Sequence, residues 1–193
     1  MKRYIFAIVS ILMATASFAQ KRPLDHSAYD SWKSIADHKV SDNGEWLFYR
    51  VDEQQGNSYG VFYNMLTNNR YKVERVDVYS IYPTAGKAIF SISPTYKEGR
   101  EARIANKRPN QMPKDSLGIL DLNTGKIVKI PYLSNLEYGK QQSNHIVFKL
   151  SGSDGKYNNW ENSLFVMDLK DGSVDTLTNV SEYVATPALE KIV

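Results

Sequence analysis

"SLFVMDLKDGSVDTL" spans residues 163–177. Two runs of strand-forming residues flank Lys170-Asp171-Gly172, so the segment reads as a β-hairpin closed by a tight turn. Alone, a hairpin says little. Laid against the rest of the chain, it matches "SLGILDLNTGKIVKI", residues 116–130, at a constant offset of 47. Serine, leucine, aspartate, leucine and glycine coincide at Ser116/Ser163, Leu117/Leu164, Asp121/Asp168, Leu122/Leu169 and Gly125/Gly172. A weaker copy is "YGVFYNMLTNNRYKV", in which Asn69 is expected to stand where the other copies have glycine, because asparagine tolerates positive φ.

Each copy follows another apolar segment that opens with turn residues: "SDNGEWLFYRV" with Gly44, "PTAGKAIFSIS" and "QQSNHIVFKLS". Strand alternation puts Trp46 with Phe48, Ile89 with Ser91, and Ile146 with Phe148 on shared faces. A unit of turn, strand, loop, strand, tight turn and strand that recurs every 40 to 50 residues or so is the mark of a β-propeller blade. The predicted fold is therefore all-β, a partial β-propeller of about three four-stranded blades. The blades are expected at about 39–78, 79–134 and 135–184, after an N-terminal segment 20–38.

An arc of three blades is too short to close a ring, and the final residues, "SEYVATPALEKIV", begin like a fourth unit. Such an arc is expected to expose apolar faces on both end sheets, and with them marginal stability or self-association.

Ahead of the repeats, Met1-Lys2-Arg3 and the apolar run "YIFAIVSILMATASFA" read as a secretory signal peptide, residues 1–19, cleaved between Ala19 and Gln20. No apolar stretch has the roughly 20 residues of a spanning helix. The expected location is exported, periplasmic or extracellular. Loss of Lys2 and Arg3 takes the formal net charge from +3 to +1, which gives no reason to expect nucleic acid as partner. Cysteine is absent, which removes disulfides, thiolate nucleophiles and zinc-thiolate sites.

Two segments depart from the repeat. Residues 93–115 carry Lys97, Arg100, Arg103, Lys107, Arg108 and Lys114 against Glu98, Glu101 and Asp115, and read as a solvated basic insertion with a helical turn near Glu98 to Ala105. In "SGSDGKYNNWENS", Tyr157 and Trp160 beside Asn158 and Asn159 are candidates for stacking on a sugar or peptide, against the plainer reading that they anchor their own loop.

Other chemistry is thin. His26, His38 and His145 are too few and too scattered for a metal site, and Asp154, Asn158 and Glu161 miss the calcium-loop spacing. There is no Gly-rich phosphate loop, so no cofactor is predicted. Gly44, Gly125 and Gly172, with the recurring Asp121 and Asp168, read as turn residues rather than catalytic ones, since an aspartate beside a tight turn accepts the N–H groups the turn leaves unpaired.

"PLDHSAYDSWKSIADHKVSDNGEWLFYRV" and "MPKDSLGILDLNTGKIVKIP" resemble the N-terminal propeller region of secreted bacterial serine peptidases of the prolyl oligopeptidase family. The more telling residues are Asp30, Trp32, Lys33 and Ile35, and the run Met112 to Gly118. The resemblance implies peptide substrates, a propeller that restricts access to them, and an α/β-hydrolase partner domain holding a Ser-Asp-His triad. No Gly-x-Ser-x-Gly elbow occurs in this chain, so no catalytic residue is carried over and the chain alone is expected to be inactive. Two other readings stay open: a free-standing periplasmic TolB-like propeller serving as a binding or scaffold module, and a carbohydrate-binding propeller that uses Tyr157 and Trp160.

Overall fold

The computed structural model describes residues 29, 32–139, 143–151, 162–187, 189, 191 and 192. The predicted signal peptide, His26 and the loop with Tyr157 and Trp160 lie outside the described residues. Among the described residues the chain is all-β, with eleven strands in two antiparallel sheets. The first sheet has the order β1-β2-β3-β4, with β1 Lys33–Val40, β2 Trp46–Glu53, β3 Tyr59–Asn64 and β4 Arg70–Glu74. The second has seven strands: β5 Val76–Tyr82, β6 Lys87–Ile92, β7 Asp115–Asp121, β8 Ile127–Tyr138, β9 His145–Leu150, β10 Leu164–Asp168 and β11 Val174–Leu177.

The seven-stranded sheet is two blades joined through one bent strand. The first half of β8 pairs with β7, from Leu120↔Ile127 to Asp115↔Leu133, and its second half pairs with β9, from Leu133↔Leu150 to Tyr138↔Ile146. Between the halves Tyr132 takes a left-handed φ of 66°. Arg75, with φ 62°, makes the same break between β4 and β5, and Asn179, with φ 58°, follows β11. Blade 1 is thus β1 to β4, blade 2 runs from β5 to Tyr132, and blade 3 from Leu133 through β11. The inner strand of blade 1 begins at Lys33, ahead of residue 39, because its mostly exposed, polar residues give no apolar alternation to read.

The middle strands of blade 2, β6 and β7, are buried on both faces because that blade is pressed between its neighbours. Phe48 and Phe62 of blade 1 pack with Val76, Ala88, Phe90 and Leu120 of blade 2. Ile89, Leu117 and Ile119 of blade 2 pack with Ile146, Phe148 and Met167 of blade 3. Polar latches add to this: Arg50 reaches Asp77 at 2.7 Å, and the buried Tyr82 hydroxyl donates to the Gly139 carbonyl at 3.3 Å, both across blade boundaries.

The end faces depart from the expected bare apolar sheets. On blade 3, Val147, Leu164 and Val166 are covered by Val180, Tyr183, Leu189 and Ile192 from the segment after β11. On blade 1, Lys33 and Lys72 lie over the Tyr59 ring at 5.6 and 4.1 Å, and Arg70 lies over Tyr63 at 4.8 Å. Val51 and Val61, which stand opposite Tyr59 and Lys72 in the strand pairing, are buried.

The basic insertion is a helix, α1 Tyr96–Ile104, longer than the single turn expected. A capping box between Thr95 and Glu98 starts it, and Asn57 Oδ1 of blade 1 accepts from Tyr96 N at 2.8 Å.

Close packing leaves Gly118 no room for a side chain. A Cβ on Gly118 would stand 2.2 Å from Phe90 Cε2, whereas Gly44, at φ +71°, has nothing within 4 Å. Gly118→Ala should cost roughly 2–3 kcal/mol through overpacking, and Gly44→Ala about 1 kcal/mol through backbone strain alone. Urea denaturation of both variants checks the order; equal losses would contradict the packing described.

Candidate functional site: the turn face

Strands alternate in direction, so the turn between the first and second strands of a blade and the turn between the third and fourth emerge on one face. All five turn residues singled out in the sequence, Gly44, Asp121, Gly125, Asp168 and Gly172, are found there. The outer turns share one bonding scheme. Asn64, Asp121 and Asp168 each end a third strand, and their N–H groups donate to the carbonyls of Asn69, Lys126 and Ser173 at 2.9, 2.9 and 3.0 Å. Asn64 Oδ1 accepts from Leu66 and Thr67, Asp121 Oδ1 from Asn123 and Thr124, and Asp168 Oδ1 from Lys170.

The next residue locks the outer turn to the inner one. Met65, Leu122 and Leu169 donate their N–H groups to the carbonyls of Glu45, Gly86 and Asn144 at 2.8, 2.9 and 2.7 Å. This fixes the register of the copies and corrects the reading of blade 1. The left-handed residue there is Asn68, with φ 61°, and not Asn69. Asn68 N donates to Asn64 O as Gly125 N does to Asp121 O and Gly172 N to Asp168 O. The misreading is off by one residue, because asparagine occupies both the aspartate and the glycine positions of this copy.

At the start of the second strand, directly across from the turn aspartate, stands a basic residue in two blades. Lys87 Nζ pairs with Asp121 Oδ2, and His145 Nε2 lies 3.6 Å from Asp168 Oδ2. The Lys87 ammonium, together with the Thr124 N–H and hydroxyl, holds the Asp121 carboxyl far below the ordinary carboxylate range. A carboxylate so fully engaged cannot accept a proton near neutral pH. Asp121 is built to hold the turn.

Two depressions open on this face. One, of about 660 Å³, lies where the inner turns of the three blades meet, lined by Asp42, Asn43 and Glu45, by Pro83 and Thr84, and by Asn144 and Lys170. The other, of about 310 Å³, lies between the outer turns of blades 2 and 3. Its walls are Ile119, Val128, Met167 and Leu169, and Lys126, Lys170 and the Lys87–Asp121 pair stand around it. None of Lys87, Lys126, Val128 and Lys170 is picked out by sequence reading; a correct alignment of the copies is the signal that could have found them. Among the described residues, no three His, Asp or Glu side chains group to hold a metal ion.

Neither a family model nor a curated protein sequence matches the chain. In structure it is similar to the β-propeller domain of the Trilobed protease from Pyrococcus furiosus, with a TM-score of 0.53 and 15% identity over 85% of this chain and 48% of that one. It is also similar to the uncomplexed acylaminoacyl peptidase of Pyrococcus horikoshii, with a TM-score of 0.50 and 12% identity over 87% of this chain and 28% of that one. The chain thus spans about half of the first structure and just over a quarter of the second. At these identities the likeness establishes the β-propeller fold.

Asp121→Ala should lower stability by about 1–2 kcal/mol, since it strips acceptors from two turn N–H groups and a partner from Lys87. Because the folded carboxyl titrates below its free value of 3.8, its contribution is fully present above that value and is lost as the pH falls toward the depressed one. Acid titration of the melting midpoint should accordingly show a shallower decline below about pH 4 in the variant; parallel curves would count against the ion pair.

Proposed function

We propose that this chain is the propeller portion of an exported prolyl oligopeptidase-like serine peptidase, which packs on an α/β-hydrolase domain and restricts the peptides that reach it. The observation that carries the reading is the order β1-β2-β3-β4 in the first sheet, where blade 1 is completed by its own consecutive strands. Such a blade needs no strand from elsewhere in the chain. An arc of self-complete blades suits a domain that must widen to admit a substrate, and the Pyrococcus furiosus protease domain is itself described as having an open velcro topology. Asp30, Trp32, Lys33 and Ile35, and the run Met112 to Gly118, support the same family, as do the names of the two structural neighbours, a protease and a peptidase.

In this reading the propeller supplies shape and surface, and the triad belongs to the partner domain. The exported chain by itself should neither hydrolyse peptides nor react with a fluorophosphonate probe. Exchanged for the blades it matches in the propeller of an acylaminoacyl peptidase, it should allow cleavage of short peptides and protect casein. Hydrolysis by the chain alone that a serine inhibitor abolishes would refute the non-catalytic part, and equal cleavage of peptide and casein by the exchanged enzyme would refute the gating part.

A further inference from the structure

The two grooves between blades are built on the same plan, and one has been emptied. Between blades 1 and 2, the outer groove is filled by rings: Trp46 and Tyr71 stack with centroids 6.0 Å apart, and Tyr71 lies against Gly125, where an added Cβ would meet its Cε1 at 2.6 Å. The strand pairing identifies the matching positions in the next groove. Trp46↔Asn64 corresponds to Lys87↔Asp121, and Phe62↔Tyr71 corresponds to Ile119↔Val128.

Lysine and valine thus stand where tryptophan and tyrosine fill the first groove. Gly172, which matches Gly125 and shares its left-handed backbone at φ +77°, has nothing within 4 Å of an added Cβ. The result is the cavity of about 310 Å³ between blades 2 and 3. Its missing contents have a known shape, because the same molecule shows what fits: a flat ring lying over the turn glycine.

The groove also differs in charge. Lys126 and Lys170 replace the neutral Asn69 and Asn123 of the corresponding turns, and neither makes an ion pair with another described residue. Lys87 is neutralised by Asp121, and the Asp171 carboxylate on the rim already accepts from Ser173 N at 2.8 Å. With three lysines against two aspartates, the mouth carries a net positive charge above an apolar floor that includes Met167, a residue suited to contact with an aromatic ring.

We infer that the cleft between blades 2 and 3 binds an aromatic ring bearing a carboxylate, the ring over Gly172 between Val128 and Met167 and the carboxylate between Lys126 and Lys170. A free aromatic acid and a peptide ending in phenylalanine present this same chemistry. The inference stands on the internal comparison of grooves and holds whether or not a hydrolase domain is the partner.

The test is a titration of the full chain with N-acetyl-L-phenylalanine, its amide, N-acetyl-L-alanine and the peptide Ala-Ala-Ala-Ala-Phe, read by calorimetry and by chemical-shift changes at the Gly172 amide. The free acid should bind saturably, with the amide and the alanine derivative each weaker by about tenfold or more. A peptide that binds tighter than N-acetyl-L-phenylalanine would make chain termini the occupant, and equal affinities would make it a free acid. Val128→Tyr should refill the groove, abolish binding and melt no lower than the native chain, while Lys126→Ala with Lys170→Ala should weaken binding about tenfold at an unchanged melting midpoint. Absence of saturable binding, or binding that survives Val128→Tyr in a folded protein, would overturn the inference.

Discussion

The side chain at the end of each third strand is the element on which the rest of the molecule depends. Asn64, Asp121 or Asp168 turns its oxygen back on the N–H groups of the following turn. With those donors satisfied, the N–H of the very next residue is free to cross to the inner turn of the same blade. One short polar side chain thereby sets the turn, fixes the register of the outer strand and ties two hairpins into one blade. Leu122 and Leu169, held by those crossing bonds, are then delivered into the apolar layer facing the preceding blade. Local hydrogen bonding and long-range packing meet at a single position.

A second constraint governs the passage from blade to blade. Arg75 and Tyr132 are single left-handed residues with side chains, a conformation that costs about 1–2 kcal/mol each. Both carbonyls are used, accepting from Ser93 and Ser151 at 2.9 and 2.8 Å. The residues that follow, Val76 and Leu133, are buried between blades, and burial of an aliphatic side chain, about 1.5–3 kcal/mol, is enough to offset the strain. Asn179 repeats the arrangement and leads to Val180, which packs against the outer face of blade 3. The same device that joins the blades therefore also covers the last one, and the first is shielded instead by tyrosines under lysine and arginine.

Much of this was legible in the sequence for a physical reason: turns demand particular residues. Asp121, Gly125, Asp168 and Gly172 recur because few other side chains accept the turn N–H groups or adopt its positive φ, so blades 2 and 3 could be read from spacing alone. Blade 1 reads one residue out of register because asparagine can do both jobs, and Asn64, Asn68 and Asn69 compete for two places. The strand β1 left no trace, since both its faces are largely exposed, and the bend at Tyr132 left none because its residue type is not one that favours left-handed backbone. The cleft between blades 2 and 3 was hidden for a different reason. It is made by what Lys87 and Val128 are not, and a missing ring is visible only when the copies are laid in correct register.

Each blade is held by the bond from outer to inner turn, and amide hydrogen exchange reads that bond directly. The N–H groups of Met65, Leu122 and Leu169 lie in turns outside the strands, where exchange is ordinarily fast. If they carry the register of the blades, they should exchange as slowly as the N–H groups of Phe48, Phe90 and Phe148 in the middle strands. Fast exchange at any of the three, while the strands of the same blade remain protected, would contradict the account.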